Sequence, residues 1–175
     1  METWDAIRAR RNVRRFQDRP IDRADLDRIL EAGRRAPSAK NRQWWDAVVV
    51  TDRQQLQDVS GLWTNAGHVA TSAATVVLIT QESDGARLTD LIQLDLGQAV
   101  MSMLIAAADL GIGSGHANVG PGEQVQELAR KVLGLPEGRR AAFMVAFGYP
   151  DDRPLAPIEK MDRRPFDEVV HYGHW

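Results

Sequence analysis

The chain has 175 residues, of which 43% are apolar and 26% charged, with a net charge of -2 and no cysteine. That length supports one core, read as a single domain over residues 1–175, and the composition is that of a globular protein. Without cysteine there is no disulfide, thiolate nucleophile or cysteine-held metal centre, and without excess positive charge there is no footprint for a general nucleic-acid binder.

The N-terminal residues Met1, Glu2, Thr3, Trp4 and Asp5 lack the basic, apolar and small-residue order of a secretory signal, and apolar runs such as residues 76–79 are too short to cross a bilayer. A cytoplasmic protein without a membrane span is expected. Thr3 is placed to cap a short helix carrying Trp4 and Ile7, which leads into residues 10–16, a stretch with four arginines, Asn12 and a closing Phe16. Asp22 starts a second helix, with Leu26, Ile29, Leu30 and Gly33 at helical spacing until Pro37 stops it. Residues 36–45 follow neither period and read as a polar loop. Residues 47–51 are a continuous β-branched run, predicted as a strand buried on both faces.

A polar helix is expected over residues 52–59 and a second buried strand over 75–80. Residues 82–86 then form a polar turn. From Leu88 to Leu110 helical spacing persists through Leu91, Ile92, Asp95, Ala99, Met103 and Ala106, in a helix apolar nearly all round and therefore central. Buried Asp95 needs a partner there, and an arginine is the expected one. Residues 111–116 end this helix and begin an irregular or short extended piece. An amphipathic helix over 123–133 stops at Gly134, a third strand spans 141–147, and the tail, with Pro154, Pro157 and Pro165, is irregular. This order predicts an α+β domain with a small sheet packed by helices.

Three donor-rich segments lie outside these elements: residues 10–15, residues 38–43, and Arg163 with Arg164. Guanidinium forks suit a phosphate, and hydroxyl and amide groups suit a heterocycle's edge, so convergence of the three would build a pocket for a phosphorylated ring. Trp44 and Trp45 could wall a flat ligand. The glycines of residues 111–115 follow a helix instead of a strand, against a dinucleotide fingerprint. No nucleophile elbow is present, and His68, His116, His171 and His174 lack metal-ligand spacing and read as surface or internally satisfied histidines.

Arg10-Arg11-Asn12-Val13-Arg14-Arg15-Phe16, the run from Ala36 to Gln43, the stretch from Asp95 to Gly113, Gly148-Tyr149-Pro150 and the run from Arg163 to Val170 together resemble the FMN-dependent nitroreductases, in order and spacing over essentially the whole chain. The resemblance implies a nitroreductase-like α+β fold, with a mostly antiparallel sheet and a long central helix, forming an intertwined homodimer with FMN at the subunit interface. It implies that Arg10, Arg11 and Arg163, with Arg164 beside it, hold the phosphate, and that Asn12 and Arg14 reach the ribityl chain or pyrimidine edge. Pro37, Ser38, Ala39 and Asn41 would come from the partner, with Gly113 and Ser114 beside the ring. Asn12 stands where the family has serine, and Trp44 where it has proline.

The implied activity is hydride transfer from NAD(P)H to nitroaromatics, quinones or similar flat acceptors by ping-pong kinetics. Flavin N5 would carry the chemistry, with no catalytic side chain and no metal, and Arg14 would favour the reduced ring, which is anionic at its N1 and O2 edge. The alternatives are a deazaflavin-using reductase, a flavin-binding or storage protein without turnover, and a plain structural dimer. Preference between NADH and NADPH has no signature in the sequence.

Overall fold

The computed structural model describes residues 1–82, 85–159 and 162–175. Helix α1, Thr3–Ala9, buries Ala6 and Ala9; Thr3 lies inside it, and the cap position falls to Glu2, whose carbonyl accepts the Ala6 N–H at 3.0 Å. Helix α2, Arg23–Arg34, begins after Asp22 as expected, although it is the Asp22 carbonyl, accepting the Leu26 N–H at 3.0 Å, that closes the first turn. Leu26, Ile29 and Gly33 form the buried stripe of α2. Gly33 is required by packing, because a Cβ there would lie 2.7 Å from Cγ of Met103 on the helix packed against it.

That helix is α4, Ala86–Asp109, preceded in the chain by α3, Arg53–Ser60, where the Asp52 carboxylate caps the Gln55 N–H at 2.8 Å. The polar turn expected over residues 82–86 lies in part outside the described residues. With a mean hydropathy of 1.5 in its most apolar window, α4 is long and apolar enough to cross a membrane by length and composition, but half of that window is buried inside the protein. Ile92, Leu96, Met103 and Leu104 join Ile29 and Phe147 in one core. The helix is central on this side only. Leu94 is 61% and Met101 45% exposed on its other flank, an unusual amount of apolar surface for a helix that is a core element elsewhere.

Strands β1 (Trp45–Val50), β2 (Ala74–Gln81), β3 (Gly113–Asn118) and β4 (Arg139–Gly148) form an antiparallel sheet in the order β1-β2-β4-β3. Alternation divides its side chains between two cores. Val76, Leu78, Val145 and Phe147 face α2 and α4, while Val77, Ile79, Met144 and Ala146 face Leu56 of α3 and Ala129 of helix α5, Glu123–Leu133. The register skips Ala142 between Leu78 and Ile79, a bulge that puts Ala142 and Phe143 on the same side. The irregular or extended piece expected after α4 is β3. β1 departs from expectation, since Asp46, Ala47 and Val49 are exposed in an edge strand. Within this sheet β2 and β4 have a neighbour on each side, and β2 is buried from Ala74 to Thr80. The tail from Asp151 lies back along the N-terminal segment, through Asp151 N–H to Arg15 O (3.1 Å) and Ile158 N–H to Arg8 O (3.2 Å).

Candidate functional site

Residues 10–16 are held as an extended rib against the sheet edge. Val13, 1% exposed, and Phe16, 9% exposed, enter the core, and the Val13 N–H donates to Ser114 O at 2.8 Å. Asn12 bridges Ser114 and Phe16 bridges Pro150. With Val13 and Phe16 turned inward, Asn12, Arg14 and Arg15 are left exposed. Gly115 makes the approach possible, because a Cβ there would lie 2.3 Å from the Val13 carbonyl oxygen. Asn12, Gly113 and Ser114 are thus brought together beside the arginines.

The arginines differ in what they hold. Arg11 donates to the Asp152 carboxylate at 2.7 Å and to Arg153 O at 2.8 Å. This hydrogen bond is the main reason the Asp152 carboxyl is held down at about 2. Arg10 is half-buried and Arg14 exposed, and among the described residues neither has a carboxylate within ion-pair distance. Two cations without a paired anion favour a negatively charged ligand. Their field reaches His116, whose pKa is lowered first by burial, then by Arg14 and Arg10.

One of the four histidines, His68, contacts this cluster. His68 is 6% exposed, and its Nδ1 is 3.1 Å from Nη1 of Arg14. A guanidinium only donates, so Nδ1 is the acceptor and the ring proton sits on Nε2. Nε2 is itself buried without a hydrogen-bond partner, against Gly115. The pKa of His68 is lowered from 6.5, first by burial and then by Arg14; the backbone of Gly115 and Asn65 offsets part of this without reaching hydrogen-bonding geometry at Nε2. His68 is not the surface or satisfied histidine that was expected. A lone histidine between Gly67 and Val69 has no spacing partner that could have marked it.

The second donor-rich segment is built on a short 3-10 turn, Ala39–Asn41; Lys40 and Asn41 within it and Gln43 just after it take positive φ of 53°, 54° and 51°. Left-handed backbone at non-glycine residues is strained and persists where neighbours enforce it. Here the Asp95 carboxylate, 1% exposed on α4, accepts the Ala39 N–H with both oxygens at 3.2 Å. The Ser38 hydroxyl accepts the Gln43 N–H at 3.0 Å. Asp95 therefore pairs with a backbone amide, not with the expected arginine, because the turn crosses α4 at that point and has an N–H to satisfy. Pro37 borders an open apolar trough along α4 with Leu94, Gly97, Met101 and Ile105. Trp44 has Arg42 5.6 Å from its ring, and Trp45 lines a groove with Leu30 and Met103.

Of the tail arginines, Arg163 donates to Asp162 O and Arg164 to Glu168 O, each at 2.6 Å, and both are exposed. Within one chain, no hydrogen bond or ion pair among the described residues joins residues 10–16 to the Ser38 turn or to Arg163 and Arg164. One chain assembles the first segment with β3; the Ser38 turn stands apart on the exposed flank of α4.

The Nitroreductase family model matches residues 7–149. The chain belongs to the nitroreductase family. Its rib from Arg10 to Phe16, the Ser38 turn and α4 all fall inside that match, whereas Arg163 and Arg164 lie beyond it. A relative from Archaeoglobus fulgidus, provisionally named NADH dehydrogenase/NAD(P)H nitroreductase, is 35% identical over 174 residues, covering 99% of each chain. The NADPH-flavin oxidoreductase of Vibrio harveyi is 29% identical over 186 residues, covering 99% of this nitroreductase-family chain and 74% of its own. The structure of the Vibrio harveyi NADPH:FMN oxidoreductase complexed with NAD+ superposes with a TM-score of 0.80 at 26% identity, covering 97% of this chain and 76% of the other.

Proposed function

We propose that this nitroreductase-family protein is an FMN-dependent NAD(P)H oxidoreductase that works as a homodimer. One observation carries the reading: Arg10 and Arg14, whose charges both act on His116, have no carboxylate within ion-pair distance among the described residues, on a rib whose neighbouring backbone is Ser114 and Gly115. This donor set fits FMN, with Arg10 for the phosphate, Arg14 for the ring edge where negative charge accumulates, and Asn12 for ribityl hydroxyls. Arg11 is partly committed to Asp152 and serves the phosphate less directly. Arg163 and Arg164, on an exposed tail, are placed to add to the phosphate grip only if the tail moves onto a second copy. When bound, FMN supplies hydride exchange at N5 between NAD(P)H and a flat acceptor such as a quinone or nitroaromatic.

The incomplete site supports a second copy. Pro37, Ser38, Ala39 and Asn41 lie next to the exposed Leu94 and Met101 flank of α4, so docking that flank on a partner would carry the turn to the partner's arginine rib. Asp95 then acts by holding the Ser38 turn in its strained shape, and no protein nucleophile is required. Donor and acceptor would use one open ring face in turn, which is ping-pong kinetics. Purified protein should be yellow, release FMN on denaturation, lose its colour anaerobically with NADH or NADPH, and regain it with a quinone. Colour that persists with both donors would leave a flavin-storage role. Binding of a deazaflavin in place of FMN would move the protein to that cofactor.

A further inference from the structure

We infer that His68 is a positioning residue, fixing the guanidinium of Arg14 toward the cofactor through an Nδ1 acceptor that exists only while the imidazole is neutral. The inference rests on the flavin reading for what Arg14 faces, but the His68–Arg14 bond belongs to the chain itself. Nδ1 lies 3.1 Å from Nη1 of Arg14, and the ring is 6% exposed. The ring lies close against Gly115, where an added Cβ would lie 3.1 and 2.9 Å from its Nε2 and Cδ2. The choice of tautomer leaves Nε2–H buried and unpartnered, an expense that the opposite tautomer would turn into two facing donors at Arg14.

Protonation breaks the arrangement. Nδ1 would become a donor facing a donor, and the new charge would stand beside that of Arg14. The charged or titratable groups acting on His68 are Arg14 on the rib and His116 on β3; both disfavour the proton, and no carboxylate is among them. Burial and these charges keep the ring neutral until pH falls below 6.5. The unfolded chain binds that proton more readily, so this group's contribution to stability is complete above 6.5 and is lost as pH falls through the folded-state pKa. Arg14 is released over the same range.

The test is FMN binding to apoprotein, followed by flavin fluorescence from about pH 8 to about pH 5, in wild type, His68→Asn and His68→Leu. The asparagine carbonyl replaces the Nδ1 acceptor and does not titrate. The phosphate of FMN titrates in this range too, but it cancels in the ratio of the wild-type to the His68→Asn Kd. That ratio should rise by about tenfold on acidification, and His68→Leu should bind about tenfold more weakly than wild type at neutral pH. His116→Asn should leave the acid step in place. A flat ratio, or wild-type affinity in His68→Leu, overturns the inference. If no variant binds FMN, the cofactor reading is what fails, and the 15N signals of the apoprotein decide the rest. A protonated Nδ1 at neutral pH, or Arg14 side-chain signals unchanged in His68→Leu, would overturn the positioning role independently of any flavin.

Discussion

Gly115→Ala is expected to lower the unfolding free energy by about 3 kcal/mol and the melting midpoint by roughly 6 to 12 °C. The added Cβ would lie 2.3 Å from the Val13 carbonyl oxygen, and that oxygen is backbone, so no rotamer change relieves the clash. Rib and strand cannot part freely either. The Val13 N–H to Ser114 O bond at 2.8 Å ties them one residue away, and Val13 is 1% exposed in the core. Gly113→Ala makes the control. Its Cβ would meet side-chain carbons of Val13 and Pro150 at 2.7 and 3.0 Å, which can shift, so about 1 to 2 kcal/mol is expected. Thermal and urea unfolding of the two variants checks the difference. Equal costs would mean that contact with the Val13 carbonyl does not set how the rib is held.

Arg10→Ala should weaken FMN binding by about 1.5 to 3 kcal/mol, roughly tenfold to more than a hundredfold in Kd, the scale of a lost charge-assisted contact. Arg10 is half-buried and has no carboxylate in reach among the described residues, so truncation removes a cation that none of them pairs with. Arg11→Ala should cost less in FMN affinity, because Arg11 is already bonded to Asp152 and Arg153 O. Its loss should instead loosen the tail, seen as faster proteolysis after Asp152. Fluorescence titration of the two apoproteins separates the cases. An unchanged Kd in Arg10→Ala would contradict the assignment of the phosphate.

The elements with strong patterns are legible in the sequence: α2 between Asp22 and Pro37, α4 from its long apolar spacing, β2 from its β-branched run and β4 from its apolar one. The error over β1 is instructive. A continuous apolar run reads as a strand buried on both faces, but Val49 is 37% exposed at a sheet edge, and apolarity does not say whether the cover comes from the same chain. Residues 10–16 stood out because clustered arginines carry their own chemistry. His68 did not, since its role comes from meeting Arg14 54 positions away in sequence, through a contact that no local pattern encodes. Asp95 was noticed as a buried charge, yet its partner is a main-chain N–H, and main-chain groups have no signature in a sequence.

The proposed site is complete only when two copies meet along α4 and each supplies its Ser38 turn to the other's arginine rib. Sedimentation of the purified protein, monitored at once by protein absorbance and by visible flavin absorbance, tests it directly, with Leu94→Asp as the partner variant at a side chain 61% exposed. Wild type is expected to sediment as a dimer with one FMN per chain, and Leu94→Asp as a folded monomer from which the flavin signal has separated. A wild-type monomer retaining stoichiometric FMN, or a Leu94→Asp monomer that still carries it, would contradict the claim.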